Sequence, residues 1–204
     1  MITKLIITIG REAGSGGASF GKALAKALNI KFYDKELLAE AAKSSGISED
    51  IFHEYDEKPT NSLLYNIVMN TYANWASEET NLPTKSFQIL TDTIREIAKQ
   101  ESCVIVGRCA DYALSGDESV VKIFITAPEE YKVKHIYDKY GYSKENAIKL
   151  MRTIDKNRKG YYESNTGKKW GHGDSYDLCI DISKLGVEGT VKLVLEYLTL
   201  KQDG

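Results

Sequence analysis

The chain has 204 residues, with 27 Lys and Arg against 29 Asp and Glu and a net charge of −2. That length suits one domain with its own core, and the balanced charge argues against a nucleic-acid polymer as partner. No apolar run approaches the roughly 18 residues of a membrane span, so no membrane association is expected. The apolar run at 5–9 is too short for a signal peptide. Three cysteines without a C-x-x-C pair suit a reducing compartment, and a cytoplasmic protein is expected.

Residues 5–9 (Leu-Ile-Ile-Thr-Ile) are short and nearly all apolar, the pattern of a strand buried on both faces of a parallel sheet. Residues 10–17 hold four glycines. Residues 19–28 are rich in helix formers, with Phe20, Leu24 and Leu28 on one face and Asn29 as a stop. Residues 30–33 read as a second strand, so the chain opens as β-α-β. From about 34 to 100 the pattern is mostly helical. One helix spans 35–44 and ends at Gly46. Apolar residues recur at helical spacing from Leu63 to Trp75 and again at Phe87, Leu90, Ile94 and Ile97, with breaks at 56–61 around Pro59 and at 80–84 around Pro83. The 63–75 repeat is read as helix packing or as the contact of a homodimer. Buried strands follow at 103–106 and 120–125, then charged helices at 131–140 and 144–158. A glycine-rich stretch over 160–174 is read as a mobile loop, before a last strand at 178–182 and an amphipathic helix at 187–200. This order predicts a single α/β domain over 1–204, a parallel sheet covered by helices.

The glycine loop is Gly10-Arg11-Glu12-Ala13-Gly14-Ser15-Gly16-Gly17-Ala18-Ser19. A glycine-rich turn between strand and helix offers backbone N–H groups and the positive end of the helix to a phosphate. Ser15 and Ser19 add hydroxyls or a magnesium contact. The Walker string G-x-x-x-x-G-K-[ST] is absent, with Gly17 where its lysine would stand. The dinucleotide fingerprint G-x-G-x-x-G is nearly met from Gly14 to Ser19, and Asp34 sits where a ribose-binding acid would. On this loop alone, a dinucleotide reader and a mononucleotide reader are equally open.

The second half narrows the choice. Val106-Gly107-Arg108 puts an arginine just past a buried strand, at the edge where parallel sheets bind ligands. Its planar fork suits a phosphate. Arg152-Thr153-Ile154-Asp155-Lys156-Asn157-Arg158 spaces two arginines around an acid on a helix, and the stretch that follows has the hinges a lid needs. Cys109 is read as packing, His172 as surface and the charges at 132–139 as a solvated face.

These strings, with Phe32-Tyr33-Asp34-Lys35-Glu36-Leu37, Tyr161-Tyr162 and Tyr176-Asp177-Leu178-Cys179-Ile180-Asp181, resemble the cytidylate kinase-like proteins. These are relatives of bacterial (d)CMP kinase within the nucleoside monophosphate kinases, and the resemblance runs nearly end to end. It implies a three-layer P-loop kinase-like fold with a helical NMP-binding insertion at about 35–100 and a lid at about 152–175. It also implies ATP and Mg²⁺ as cofactors and a CMP-, dCMP- or UMP-type acceptor. In its terms Gly14, Ser15, Gly16, Gly17 and Ala18 hold the donor phosphate, and Ser19 aligns with the Walker hydroxyl and touches Mg²⁺. Asp34, Gly107 and Arg108 meet the acceptor. Arg152 and Arg158 close over the transferred group, with Asp155 orienting them. Gly17 in place of the lysine is a departure from true CMP kinases that the resembled family shares, and Arg11 or Lys22 is expected to replace that charge. Cys109 stands where those kinases have Asp, and Asp34-Lys35-Glu36 where they have Asp-Ser-Gly, so phosphate binding carries over better than cytosine recognition. A nucleotide-binding regulator without turnover and a kinase of a different small acceptor remain open. A nicotinamide dehydrogenase would give Arg152, Asp155 and Arg158 no role.

Overall fold

The computed structural model describes residues 4–46, 48–57 and 82–203. Five strands, β1 (Ile6–Arg11), β2 (Lys31–Tyr33), β3 (Cys103–Val106), β4 (Val120–Thr126) and β5 (Leu178–Asp181), form one sheet in the order β2-β3-β1-β4-β5. Every neighbouring pair is parallel. β1 lies at the centre, with Ile6 beside Cys103 on one flank and Val120 on the other. The β-branched runs fall on these strands because both sheet faces are covered, so each position of β3 is buried.

One face is covered by α1 (Gly17–Leu28) and α8 (Gly186–Asp203). There Ile7 and Ile9 pack with Phe20, Leu24, Val194 and Leu198. The other face is covered by α2 (Glu36–Ser45), α3 (Glu49–Tyr55), α4 (Leu82–Gln100) and the short α5 (Ala110–Ala113). Leu37, Leu38, Phe52 and Ile94 meet Ile6 and Ile105 on that side. Each such fully buried side chain contributes about 1.5–3 kcal/mol. A helical pair, α6 (Glu129–Tyr140) and α7 (Lys144–Thr166), rises beyond the C-terminal edge of the sheet. Asn29 ends α1 as expected, in the left-handed conformation with its N–H on the Lys26 carbonyl. Among the described residues no helix is long and apolar enough to cross a membrane.

Two expectations are corrected. The stretch 160–174 is not a loop throughout, because α7 runs on through Gly160 to Thr166. Burial of Tyr161 and Tyr162 against Cys109, Phe87 and Trp170 outweighs the roughly 1 kcal/mol that an interior glycine costs a helix. Residues 82–84 of the expected break around Pro83 are likewise helical, since they belong to α4. Pro83 lies in the first turn, where no N–H is needed. The 63–75 repeat and the homodimer reading attached to it lie outside the described residues.

Candidate functional site

The glycine loop leaves the C-terminal end of the central strand. Gly14 (φ 77) and Gly16 (φ 87) are left-handed, a region that glycine enters without steric penalty. Gly16 is also the N-cap of α1, whose first bond runs from Phe20 N to Gly16 O at 2.9 Å. The N–H groups of Gly17, Ala18 and Ser19 therefore have no acceptor within the helix. They lie beside a pocket of about 390 Å³, which Gly14, Gly16, Gly17, Ala18 and Ser19 line. Free N–H groups at the start of a helix are an arrangement that can hold an anion.

The outer part of the loop is clamped to the helical pair. Lys132 Nζ donates to Glu12 Oε2 at 2.9 Å, and Ala13 N donates to Asp155 Oδ1 at 2.6 Å. Ala13 packs with Val133, Ile136 and Met151. A Cβ on Gly14 would overlap the Lys132 carbonyl. Lys132 is therefore no part of a solvated face: it is buried, and the acid that neutralises it comes from the loop. Burial pushes the Asp155 carboxyl above its ordinary value, against the pull of the Ala13 N–H.

Gly17 meets the loop's cation. A Cβ at residue 17 would lie 2.5 Å from Arg11 Cβ and 3.0 Å from Arg11 Cγ, so the Arg11 stem fills the space a side chain at 17 would need. Counted back from Gly16, Arg11 occupies the first position of the Walker string and Gly17 the lysine position. The cation and the glycine have exchanged places. The same count puts Ala18, not Ser19, at the Walker hydroxyl position, so Ser19 stands one residue further into α1. Lys22 is exposed and is not among the pocket-lining residues. Ser15 turns inward, its hydroxyl donating to Glu12 O at 2.8 Å, and it too is absent from the pocket wall.

At the base of the loop, three guanidiniums, Arg11 of the loop with Arg108 and Arg158, face three carboxylates. Gly107, Arg108 and Cys109 are consecutive left-handed residues, with φ of 77, 52 and 55, a conformation that costs about 1–2 kcal/mol at each non-glycine position. The Arg108 side chain is tied down at every nitrogen. Nε and Nη2 donate to Asp56 at 3.0 and 2.9 Å, and Nη1 donates to Asp34 and, at 3.0 Å, to Val106 O. Burial opposes the Arg108 charge, yet Asp56, Glu57 and Asp34 outweigh it and raise the pKa further. Arg11 pairs with both oxygens of Glu57, the second at 3.3 Å, and Arg158 Nε donates to Glu57 Oε2 at 2.8 Å. Burial pulls the Arg11 pKa below its ordinary value, against the opposing effect of Glu57.

Arg11, Asp34, Gly107, Arg108 and Arg158 thus come together beside the glycine loop, and all but Gly107 line the same pocket. Gly107 adjoins it through Arg11 and Glu57, which leave no room for a Cβ. Arg152 does not join them. It lies on the outward side of α7, its side chain 67% exposed, paired with Glu129 at 3.3 Å. The buried stripe of that helix runs through Met151, Tyr161 and Tyr162, and position 152 is turned away from it. Asp155 accepts its hydrogen bond from the loop, at Ala13 N, rather than from either arginine. Sequence reasoning missed Asp56 and Glu57, two acids at the end of α3 that it took only as part of a helix break. Cys109 is buried, and its thiol is pushed up by burial rather than activated by Arg108. His172 is exposed, as expected. Behind the arginines lies a second cavity of about 20 Å³, lined by Thr8, Asp111, Tyr162 and Tyr176 among others. It has room for about one water and not for a substrate.

Among the described residues no cluster of His, Cys, Asp and Glu forms a ready metal centre. The cradle of helical N–H groups fits the phosphates of a nucleotide. Ser19 is the hydroxyl-bearing side chain of the loop that reaches the pocket wall.

Residues 6–184 match the model of the cytidylate kinase-like family. The cytidylate kinase of Methanocaldococcus jannaschii is 27% identical over 193 residues, covering 93% of this chain and 95% of that protein. A solved protein from Eubacterium ventriosum is 30% identical with a TM-score of 0.73, covering 96% of this chain and 99% of that one. Shikimate kinase from Acinetobacter baumannii, solved with shikimate, shares the fold at a TM-score of 0.52 and 14% identity, with 98% and 95% coverage. With a parallel five-stranded P-loop kinase architecture and a family match over nearly its whole length, this chain belongs to the cytidylate kinase-like family.

Proposed function

We propose that the chain is an ATP-dependent kinase that moves a phosphoryl group onto a small nucleotide, with CMP or dCMP first and UMP next. One observation carries this reading: the glycine-loop cradle and the Arg11, Arg108 and Arg158 cluster line the same pocket of about 390 Å³. That volume lies in the range of nucleotide-sized sites. Phosphoryl transfer needs positioning and neutralised charge more than covalent help, and this pocket supplies both kinds of donor. The N–H groups of Gly14, Gly16, Gly17 and Ala18 hold the donor phosphates, with Ser19 toward Mg²⁺. Arg11 brings the charge that a Walker lysine brings elsewhere. Arg108, backed by Gly107 and Asp34, takes the acceptor phosphate, and Arg158 covers the group in transit. Asp155 holds the loop in shape through Ala13.

The test is ADP release from Mg-ATP against a panel of nucleoside monophosphates, with Arg108→Ala as control. Turnover on CMP or dCMP is expected, falling at least a hundredfold in the variant. ATP binding without turnover on any nucleotide would replace this reading with a nucleotide-binding regulator or a kinase of a different acceptor.

A further inference from the structure

One carboxylate spans two of the three arginines. Both oxygens of Glu57 accept from the Arg11 fork, and Oε2 also accepts from Arg158 Nε at 2.8 Å. Two oxygens set against the planar edge of one guanidinium and shared with another is the arrangement a phosphate takes with arginines. The Glu57 side chain is 14% exposed. Burial works to push its carboxyl up, but Arg11, Arg158 and Arg108 together hold it well below the usual carboxylate range, so it is an anion at neutral pH. Its backbone is left-handed at φ 51, a strained state for a residue with a Cβ.

The partners of Glu57 sit on the frame of the fold, whereas Glu57 does not. Arg11 ends the central strand and Arg158 belongs to the 23-residue helix α7. Glu57 lies two residues past the end of α3, in a turn. Glu57 holds the Nη1/Nη2 fork of Arg11 and the Nε–H of Arg158, and an anion can take those donors only if Glu57 gives them up. Once it does, like charge pushes the carboxylate away from the newcomer.

We propose, building on the reading of this pocket as a nucleotide-phosphate site, that Glu57 is an internal stand-in for phosphate, holding Arg11 and Arg158 in position until an incoming phosphate displaces it. The arginines stay ordered, and the protein avoids an uncompensated cluster of buried charge. In return, a phosphate that takes this fork must break an existing ion pair, which lowers its affinity. Displacement also relaxes the left-handed residue, so the turn after α3 moves while the sheet does not.

Inorganic tripolyphosphate is the probe, titrated by calorimetry into the full chain and into Glu57→Gln and Glu57→Asp. Glu57→Gln keeps the shape and removes the charge, and is expected to bind at least tenfold more tightly. Glu57→Asp, one methylene short of bridging both arginines, is expected to fall between it and the natural protein. Hydrogen exchange on the natural protein reads the same event directly: the segment 49–57 should lose protection when tripolyphosphate is added. Equal or weaker binding by a folded Glu57→Gln, or unchanged exchange over 49–57 in the loaded protein, overturns the displacement while leaving the phosphate site intact. If Glu57→Gln does not fold, the exchange experiment decides alone. No binding of tripolyphosphate to the natural protein or to either variant removes both the displacement and the phosphate reading beneath it.

Discussion

Gly17→Lys, which writes the Walker lysine back into the loop, is expected to lower phosphoryl transfer by roughly a hundredfold instead of improving it. The reason is steric. Any Cβ at position 17 falls 2.5 Å from Arg11 Cβ, inside the closest approach two such carbons allow. The larger side chain must push Arg11 aside, and overpacking of this kind costs about 1–3 kcal/mol of stability. The chemical cost is greater. Arg11 would leave the fork it makes with Glu57, and a buried carboxylate would lose one of its counter-charges. Chemical denaturation and steady-state kinetics on the same preparation separate the two effects. A stable Gly17→Lys protein with undiminished turnover would show that Arg11 and residue 17 do not compete for one space.

Arg11→Ala should lower kcat by about a hundred- to a thousandfold, the usual consequence of deleting a fixed cationic donor from a site where charge develops. Arg11 is 7% exposed and a guanidinium keeps its charge in proteins, so water cannot take over its role. Arg11→Lys should recover only part of the loss, because an ammonium makes a point contact where the guanidinium makes a fork. The readout is kcat and KM for Mg-ATP at saturating acceptor. A loss below threefold would mean that the missing lysine has no replacement in this residue.

The strands were legible because the sheet is covered on both faces. Continuous runs such as Cys103–Val106 and Val120–Thr126 have few other uses in a chain of this size. The loop was legible because its glycines lie together in sequence, between a buried strand and a helix. The far half of α7 was not, since Tyr161 and Tyr162 are buried by Cys109 and Phe87 from distant parts of the chain. The acids of the site were hidden for the same reason. Glu57 meets arginines 46 and 101 residues away, and Asp56 meets one 52 residues away. No local spacing marks a carboxylate whose partners are brought to it by the fold. The helical spacing of Arg152, Asp155 and Arg158 was read correctly as a helix, but it could not say which face turns toward the loop. Packing decided that, and it left Arg152 outside.

The exchange of cation and glycine between positions 11 and 17 is tested most directly by making both changes at once. In Arg11→Gly with Gly17→Lys, the Cβ that a side chain at 17 would meet at 2.5 Å is gone, so the space beside residue 17 is open and the lysine can reach the phosphates. Turnover with Mg-ATP in this double variant is predicted to exceed that of either single variant by tenfold or more, a coupling that only neighbours sharing one role produce. A double variant no more active than Arg11→Gly alone would contradict the account, and the charge of the missing lysine would have to be sought elsewhere in the pocket.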